Sequence, residues 1–359
     1  MNQETQEKVY ESDHCEGQGG KKILNVLYQS SDLYAPMAGV SMVSLMENNK
    51  DIDEIYFFLM NDGISEVNLS KFKRACDSYG RHLNVICTKE IVNEIKSEWR
   101  VPPHRGSYAA YFKLRAINKL PFSVEQVLYI DADTIVVGSL LPLVDISFDG
   151  HLMAAVISCT MDNAKQMLGM LPSDRYFNSG VILFNRKLWE LEKCEERIIS
   201  HVMNLQKAYC IADESILNVL FSNRFMRIDV KYNFASYFYI FGIKQAFTIY
   251  GLTPENFYDY LQMAEAYENP VIHHCLGETN GKPWEKNNRH PLNSLFDKHL
   301  KDSPWSDYVK NQGKMSTSVS IQRVLHKVLP KCLYAHIHKI ALRQLWRYKS
   351  KAAQKYRGV

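Results

Sequence analysis

The sequence has no Cys-x-x-Cys pair; its eight cysteines stand apart at 15, 76, 87, 159, 194, 210, 275 and 332. That scatter excludes a thiolate zinc centre and a disulfide framework, and reduced thiols in a cytosolic protein are the expectation. No apolar run approaches the roughly 18–20 residues of a membrane-spanning helix. The polar opening, MNQETQEKVYESDHCEGQGGKK, has no apolar signal-peptide core, so residues 1–21 are expected to form a disordered leader. No Gly-x-Gly-x-x-Gly follows the first apolar run, so a diphosphate there cannot rest on a glycine-rich helix N-terminus and a metal becomes the natural aid. Acid is missing from one end altogether. Residues 315–359 carry ten Lys/Arg and no Asp or Glu, leaving −6 on the rest of a chain whose net charge is +4.

What is present is ordinary globular material: 359 residues, 46% apolar and 23% charged, enough for one large domain or two modest ones. Strands are expected at 23–28, 55–60 and 83–87, alternating with helices at 35–48, 65–79 and 89–98. That βα alternation predicts an α/β fold with a Rossmann-like, mostly parallel sheet flanked by helices, and ligand-binding loops along one edge. Further helices are expected at 107–120, 186–207 and 212–220, and strands at 152–157, 180–184 and 271–274. Residues 224–270 read as loops and short helices packed on the sheet. A catalytic domain over 22–300, a linker over 301–318 and a basic amphipathic C-terminal helical tail over 319–359 complete the expected organisation.

The stretch VLYIDADTIVVGSL, 127–140, is the fourth expected strand. Read as extended, it aims Asp131 and Asp133 the same way, where they repel unless a hard divalent cation and phosphate oxygens sit between them. Taken alone, a solvated turn explains such a pair as well. Other stretches could complete a site. Gln29 to Leu33 forms a polar loop at the end of the first strand. Lys113 lies on a helix in AYFKLRAINKLP. Asn178 precedes an apolar strand in RYFNSGVILFN, and its amide suits sugar hydroxyls, although a turn amide is the plain alternative. Asp213 and Glu214 open the helix in IADESILNVLF, which is also where a helix dipole favours acids. In VIHHCLGETNGKPW two histidines end a strand and a Gly-containing loop leads to Lys282.

In this order YAPMAGVSMVSLMENN, QVLYIDADTIVVGSL, YFNSGVILFNRKLW, ESILNVLF and HHC…GKPW resemble glycosyltransferase family 8, from about Ile23 to Trp284. The resemblance implies a single GT-A domain that binds a UDP-sugar and Mn²⁺ (or Mg²⁺) and moves a hexose, galactose or glucose, with retention. It assigns Asp131, Asp133 and His273 to the metal, with His274 as the alternative register. Gln29, Ser31 and Asp32 fall at the uridine, and Ala132 lies within the aspartate motif at the donor. Lys113, Gly277 and Lys282 fall near the diphosphate. Asn178 and Asp213 fall at the donor sugar, and Glu214 at its reactive β face, as nucleophile or charge stabiliser. Lys113 stands where many members carry Arg, Ser158 where an Asp often contacts the sugar, and the loop from His273 to Lys282 is about three residues longer than in short members.

The tail sets Ile337, Ala341, Leu345 and Tyr348 at helical spacing among Lys339, Arg343 and Arg347. It suits an interfacial helix on anionic lipid, holding the protein at the inner face of the membrane beside a saccharide or lipid-linked saccharide acceptor. A solvated basic tail is the plain alternative, and nucleic acid is not the expected partner. Three rival functions stand beside this reading. DADT also fits a haloacid-dehalogenase-type phosphatase, but no Asp-Asp pair or Gly-Asp-x-x-x-Asp follows it. The others are a non-catalytic sugar-nucleotide-binding subunit and self-glucosylation.

Overall fold

The computed structural model describes residues 20–355 apart from 100, 102, 105, 206–208, 210, 277, 278, 314 and 315. Most of the expected leader and the site residue Gly277 thus lie outside the described residues. Seven strands form the main sheet: β1 (Ile23–Ser31), β2 (Glu54–Asp62), β3 (His82–Cys87), β4 (Gln126–Ile130), β6 (Met153–Ile157), β7 (Phe177–Asn185) and β8 (Phe225–Arg227), in the order β3-β2-β1-β4-β7-β6-β8. A second sheet joins β5 (Thr134–Val136), β9 (Phe234–Ala235) and β10 (Ile272–His274) in the order β5-β10-β9. The β3-β2-β1-β4 half is parallel, as the βα alternation predicts; β7 runs antiparallel to both of its neighbours. Parallel strands covered on both faces must be apolar throughout, and Val26, Leu27, Phe57, Leu59, Val127 and Leu128 are all fully buried.

The aspartate stretch is not one strand. β4 ends at Ile130 in the main sheet, residues 131–133 turn, and β5 pairs antiparallel with β10 in the small sheet. The turn is clamped at both ends. Asp131 N–H donates to the Gly180 carbonyl at 2.7 Å, and Cys275 N–H donates to the Asp133 carbonyl at 2.8 Å. The two carboxylates therefore converge through a turn rather than through strand alternation.

The expected helix over 107–120 is a short α-helix, Phe112–Ala116, between two 3₁₀ turns. The long helix expected over 186–207 divides into Arg186–Leu191 and Cys194–Asn204, because Lys193 adopts a left-handed conformation with φ 50°. The aromatic region after 224 supplies β8 and β9, which were not expected.

The expected linker over 301–318 is in large part packed. Trp305 is 1% exposed, stacks edge-on against Phe72 and donates its indole N–H to Asn68 Oδ1 at 2.7 Å. Its ring fills the space beside Gly39 in the first helix, Ala35–Asn48; a Cβ on Gly39 would lie 2.2 Å from it. Asn311–Gln312 pairs with Glu285–Lys286. Polarity, Pro304 and Gly313 concealed one buried tryptophan.

Two helices close the chain, Thr317–Val328 and Lys331–Lys355. The second packs along the helix Ile243–Tyr250 and touches the helix Asp162–Met167. Phe241 meets His326, Tyr334 and His338, and the Tyr334 hydroxyl hydrogen-bonds His338 Nδ1 at 2.7 Å. Arg323 donates to the Thr279 carbonyl at 2.9 Å, tying the first of the two to the loop that follows β10.

Candidate active site

A cavity of about 720 Å³ opens at the ends of β1, β4 and β7. Of the residues singled out by sequence, Gln29, Ser31, Lys113, Asp131, Ala132, Asp133, Asn178, Asp213 and Glu214 line it. Asp32 does not. Its Oδ1 accepts from Ser65 N–H at 2.8 Å and from Asn68 Nδ2 at 2.7 Å, tying it to the start of the helix Glu66–Ser78. Those bonds, Ser65 foremost, hold its carboxyl below the usual range.

The structure brings His274, not His273, to the aspartates. Successive side chains of β10 point to opposite faces. His274 Nε2 lies 3.1 Å from Asp133 Oδ1 and 4.0 Å from Asp131 Oδ2. Ligand atoms of Asp131, Asp133 and His274 all fall within 4.8 Å of one another. His273 turns toward Tyr239, at a ring separation of 5.7 Å, and its Nδ1 has no hydrogen-bond partner among the described residues. Burial pushes its pKa down to about 4, so it stays neutral.

A chain of amides fixes the His274 ring. Gly180 N–H donates to Asn178 Oδ1 at 3.0 Å, which identifies that atom as the oxygen. Asn233 Nδ2 donates to the same oxygen at 2.8 Å, leaving Asn233 Oδ1 to accept from His274 Nδ1–H at 3.0 Å. His274 Nε2 is thereby directed at the aspartates, as an outer hydrogen bond directs a metal-bound histidine. Asn233 was not legible as a site residue in an aromatic, aperiodic stretch.

Two lysines meet these acids. Lys113, 3% exposed, donates to Asp213 Oδ2 and to the Ser179 carbonyl, each at 2.8 Å, and sits 3.9 Å from Asp131 Oδ1. Burial opposes its charge, but Asp213 and Asp131 outweigh it and raise the pKa. Lys282 donates to Asp133 Oδ2 at 3.0 Å and to the Cys275 carbonyl at 2.6 Å. Burial works against the Asp133 carboxylate, yet Lys282 and His274 hold its pKa well below the usual range. For Asp131, burial prevails over Lys113 and the pKa is raised.

At the other wall Glu214 accepts from Ser179 N–H at 3.0 Å and from Asn178 Nδ2 at 3.1 Å. Burial pushes its pKa up to about 7. Asp213 Oδ2 accepts from the Ser179 hydroxyl at 3.0 Å. The start of the helix Ala212–Phe221 is thus stitched to β7 beside Asn178. Asp62, at the end of β2, also lines the cavity, and burial raises its pKa; its place beside β1 in a parallel sheet was the available signal.

The donor set of two carboxylates and an imidazole is one that a divalent cation accepts. Gly180 keeps space open at that point. A Cβ there would lie 2.5 Å from His274 Cε1 and 2.8 Å from Asp131 Oδ2. The residues therefore fit a bound divalent cation.

A model of the family described as Glycosyl transferase family 8 matches residues 25–288. The chain is 26% identical over 287 residues to the lipopolysaccharide 1,2-glucosyltransferase of Escherichia coli K12, covering 79% of each. It is 25% identical over 296 residues to the lipopolysaccharide 1,3-galactosyltransferase of Salmonella typhimurium, again 79% of each. The crystal structure of the galactosyltransferase LgtC with donor and acceptor sugar analogues superposes with a TM-score of 0.59 at 22% identity, covering 78% of this chain and 96% of that one, and so shares its GT-A fold. With the family model running from within β1 through the rest of the main sheet and every element of the cavity that precedes the two closing helices, the chain belongs to glycosyl transferase family 8 and is a glycosyltransferase.

Proposed function

We propose that the protein transfers glucose or galactose from a UDP-hexose to a hydroxyl of a saccharide acceptor, with retention of anomeric configuration, in the building of a surface polysaccharide or glycolipid. The observation that carries this reading is the convergence of Asp131, Asp133 and His274, with Lys282 paired to Asp133, at a cavity that also holds Asn178, Asp213 and Glu214. The relatives, a lipopolysaccharide glucosyltransferase and a lipopolysaccharide galactosyltransferase, support hexose transfer to such an acceptor.

Gln29 and Ser31 would meet the uridine, with Asp62 beside them. Asp131, Asp133 and His274 would hold Mn²⁺ or Mg²⁺, which when bound offsets the charge of the departing diphosphate. Lys282 places a further positive charge there. The bond from the anomeric carbon to the β-phosphate oxygen breaks, UDP leaves with the electron pair, the acceptor hydroxyl oxygen bonds the same carbon, and its proton passes to the departing phosphate oxygen. Glu214 stands at the wall where positive charge develops, and Asn178 and Asp213 orient the sugar.

The closing helices support a place at a lipid surface. Leu333, Ile337, Ile340, Leu345 and Tyr348 are exposed on the last helix beside Arg343 and Arg347, and Ile321, Val324 and Val328 are exposed on the one before it. An amphipathic basic helix of this kind lies on anionic lipid. Among the described residues no helix is long and apolar enough to cross a membrane.

Screening UDP-glucose, UDP-galactose and UDP-N-acetylglucosamine for Mn²⁺-dependent release of UDP tests the donor reading, and no release from any of them ends it. NMR of the product is expected to show retained configuration; an inverted product contradicts the mechanism. Full-length protein is expected to sediment with anionic liposomes and a 1–314 truncation to stay in solution. Equal binding by both removes the tail from the account.

A further inference from the structure

The last helix, Lys331–Lys355, does more than expose an apolar and basic face to solvent: Trp346 and Lys349 line the catalytic cavity. We propose that this pair is an acceptor subsite, in which the Trp346 ring stacks on a sugar and Lys349 recognises an anionic group, a phosphate or a carboxylate, carried by that acceptor. The inference rests on the hexosyltransferase reading of the cavity.

Three observations carry it. The first is position. The predicted uridine contacts end β1, while the last helix touches Asp162–Met167, the helix that follows β6. In the sheet order β6 lies three strands from β1 and next to β7, which brings Asn178 to the cavity. The last helix therefore rims the sugar end of the cavity and not its nucleotide end.

The second is charge. The donor end already balances its cations, Lys113 against Asp213 and Lys282 against Asp133. Lys349 forms no ion pair with a described carboxylate; its Nζ sits 5.3 Å from the centre of the Trp346 ring. An ammonium with no carboxylate partner, seated over one face of an indole, is a site for an anionic sugar, since the indole's other face offers stacking area and the ammonium a strong point charge.

The third is anchoring. The helix is seated by Tyr334 and Ala335, 2% and 1% exposed, against Phe241 and the helix Ile243–Tyr250. Trp346 is itself partly buried against the core. The pair is thus held at the cavity by packing well before its own position in the helix.

The test uses full-length protein saturated with UDP and Mn²⁺, so that the donor end is filled. NMR titration compares methyl glucoside, methyl glucoside 6-phosphate and methyl glucuronide. The expected result is that at least one anionic sugar binds tenfold or more tightly than the neutral one. Lys349→Ala should erase that preference and Lys349→Arg should keep it, while Trp346→Ala weakens neutral and anionic sugars alike. Circular dichroism showing unchanged helix content rules out an undocked tail as the cause. The phosphate and glucuronide arms tell which anion is preferred. Equal affinity for all three sugars, no sugar binding, or binding indifferent to both substitutions overturns the proposal. If UDP itself fails to bind with Mn²⁺, the reading of the cavity fails instead, which separates the two.

Discussion

The two ends of the cavity are built on opposite principles. At the donor end the charged groups are interlocked: Lys113 with Asp213, Lys282 with Asp133, His274 with Asp133 and through Asn233 to Asn178. Lys113 and Asp213 are stitched to Ser179 on β7, and Lys282 to the Cys275 carbonyl just after β10. At the acceptor rim Trp346 and Lys349 stand on one helix held by aromatic packing near its start, and among the described residues they meet no carboxylate. A preorganised end suits a ligand that does not vary, a UDP-sugar. A rim carried on a separable helix can change with the acceptor while the donor end stays as it is.

Substitutions should reproduce that contrast. The largest effect belongs to Asp133→Asn, which removes the acid shared by His274 and Lys282. Turnover of UDP-sugar should fall about a thousandfold or more, several kcal/mol of transition-state stabilisation. Undiminished Mn²⁺-dependent turnover would refute the donor end as drawn. Lys113→Met leaves Asp213 buried and uncompensated, and should destabilise the fold by roughly 3–5 kcal/mol in a urea midpoint measurement.

Glu214 ties the same end to pH. Its pKa of about 7 lies above the ordinary 4.5, so the native state keeps a proton that the unfolded chain has released. The sign follows: this group lowers stability as pH rises from about 4.5 to 7. Glu214→Gln should therefore gain on the wild type by ~3 kcal/mol between pH 4 and pH 8, and parallel stability curves would deny the shift. Asn233→Leu releases the His274 ring, and Mn²⁺ affinity in the presence of UDP should fall about 10–100-fold by calorimetry. The smallest effect is on the outer face of the rim helix. Arg347→Ala should change the unfolding free energy from urea titration by no more than about 0.5 kcal/mol, because an exposed charge contributes little to folding.

The sequence read most clearly where one local pattern decided the structure. β1 to β3 are apolar runs at βα spacing, and Asp131, Asp133 and Lys282 were visible because carboxylates and a cation lie in ordered motifs. The choice between His273 and His274 was not visible. β10 is three residues long, both histidines are buried, and Ile272 and Cys275 flank them with no alternation to set the face. Only pairing with β5 sets it. The role of Asn233 depends on contacts 41 and 55 residues away. The tail read correctly as a basic helix, but its inward face could be recognised only once Phe241 gave it somewhere to dock.

Trp305 fills the hollow beside Gly39, and its indole is bonded to Asn68 on the second helix. Those first helices leave the ribosome long before residue 305 does. Until it arrives, the N-terminal half carries an open apolar slot, and the Asn68 side-chain oxygen lacks its indole donor. The N-terminal half can therefore close only after residue 305 has emerged, and a nascent chain stalled near residue 300 should be digested by protease at sites that the finished protein protects.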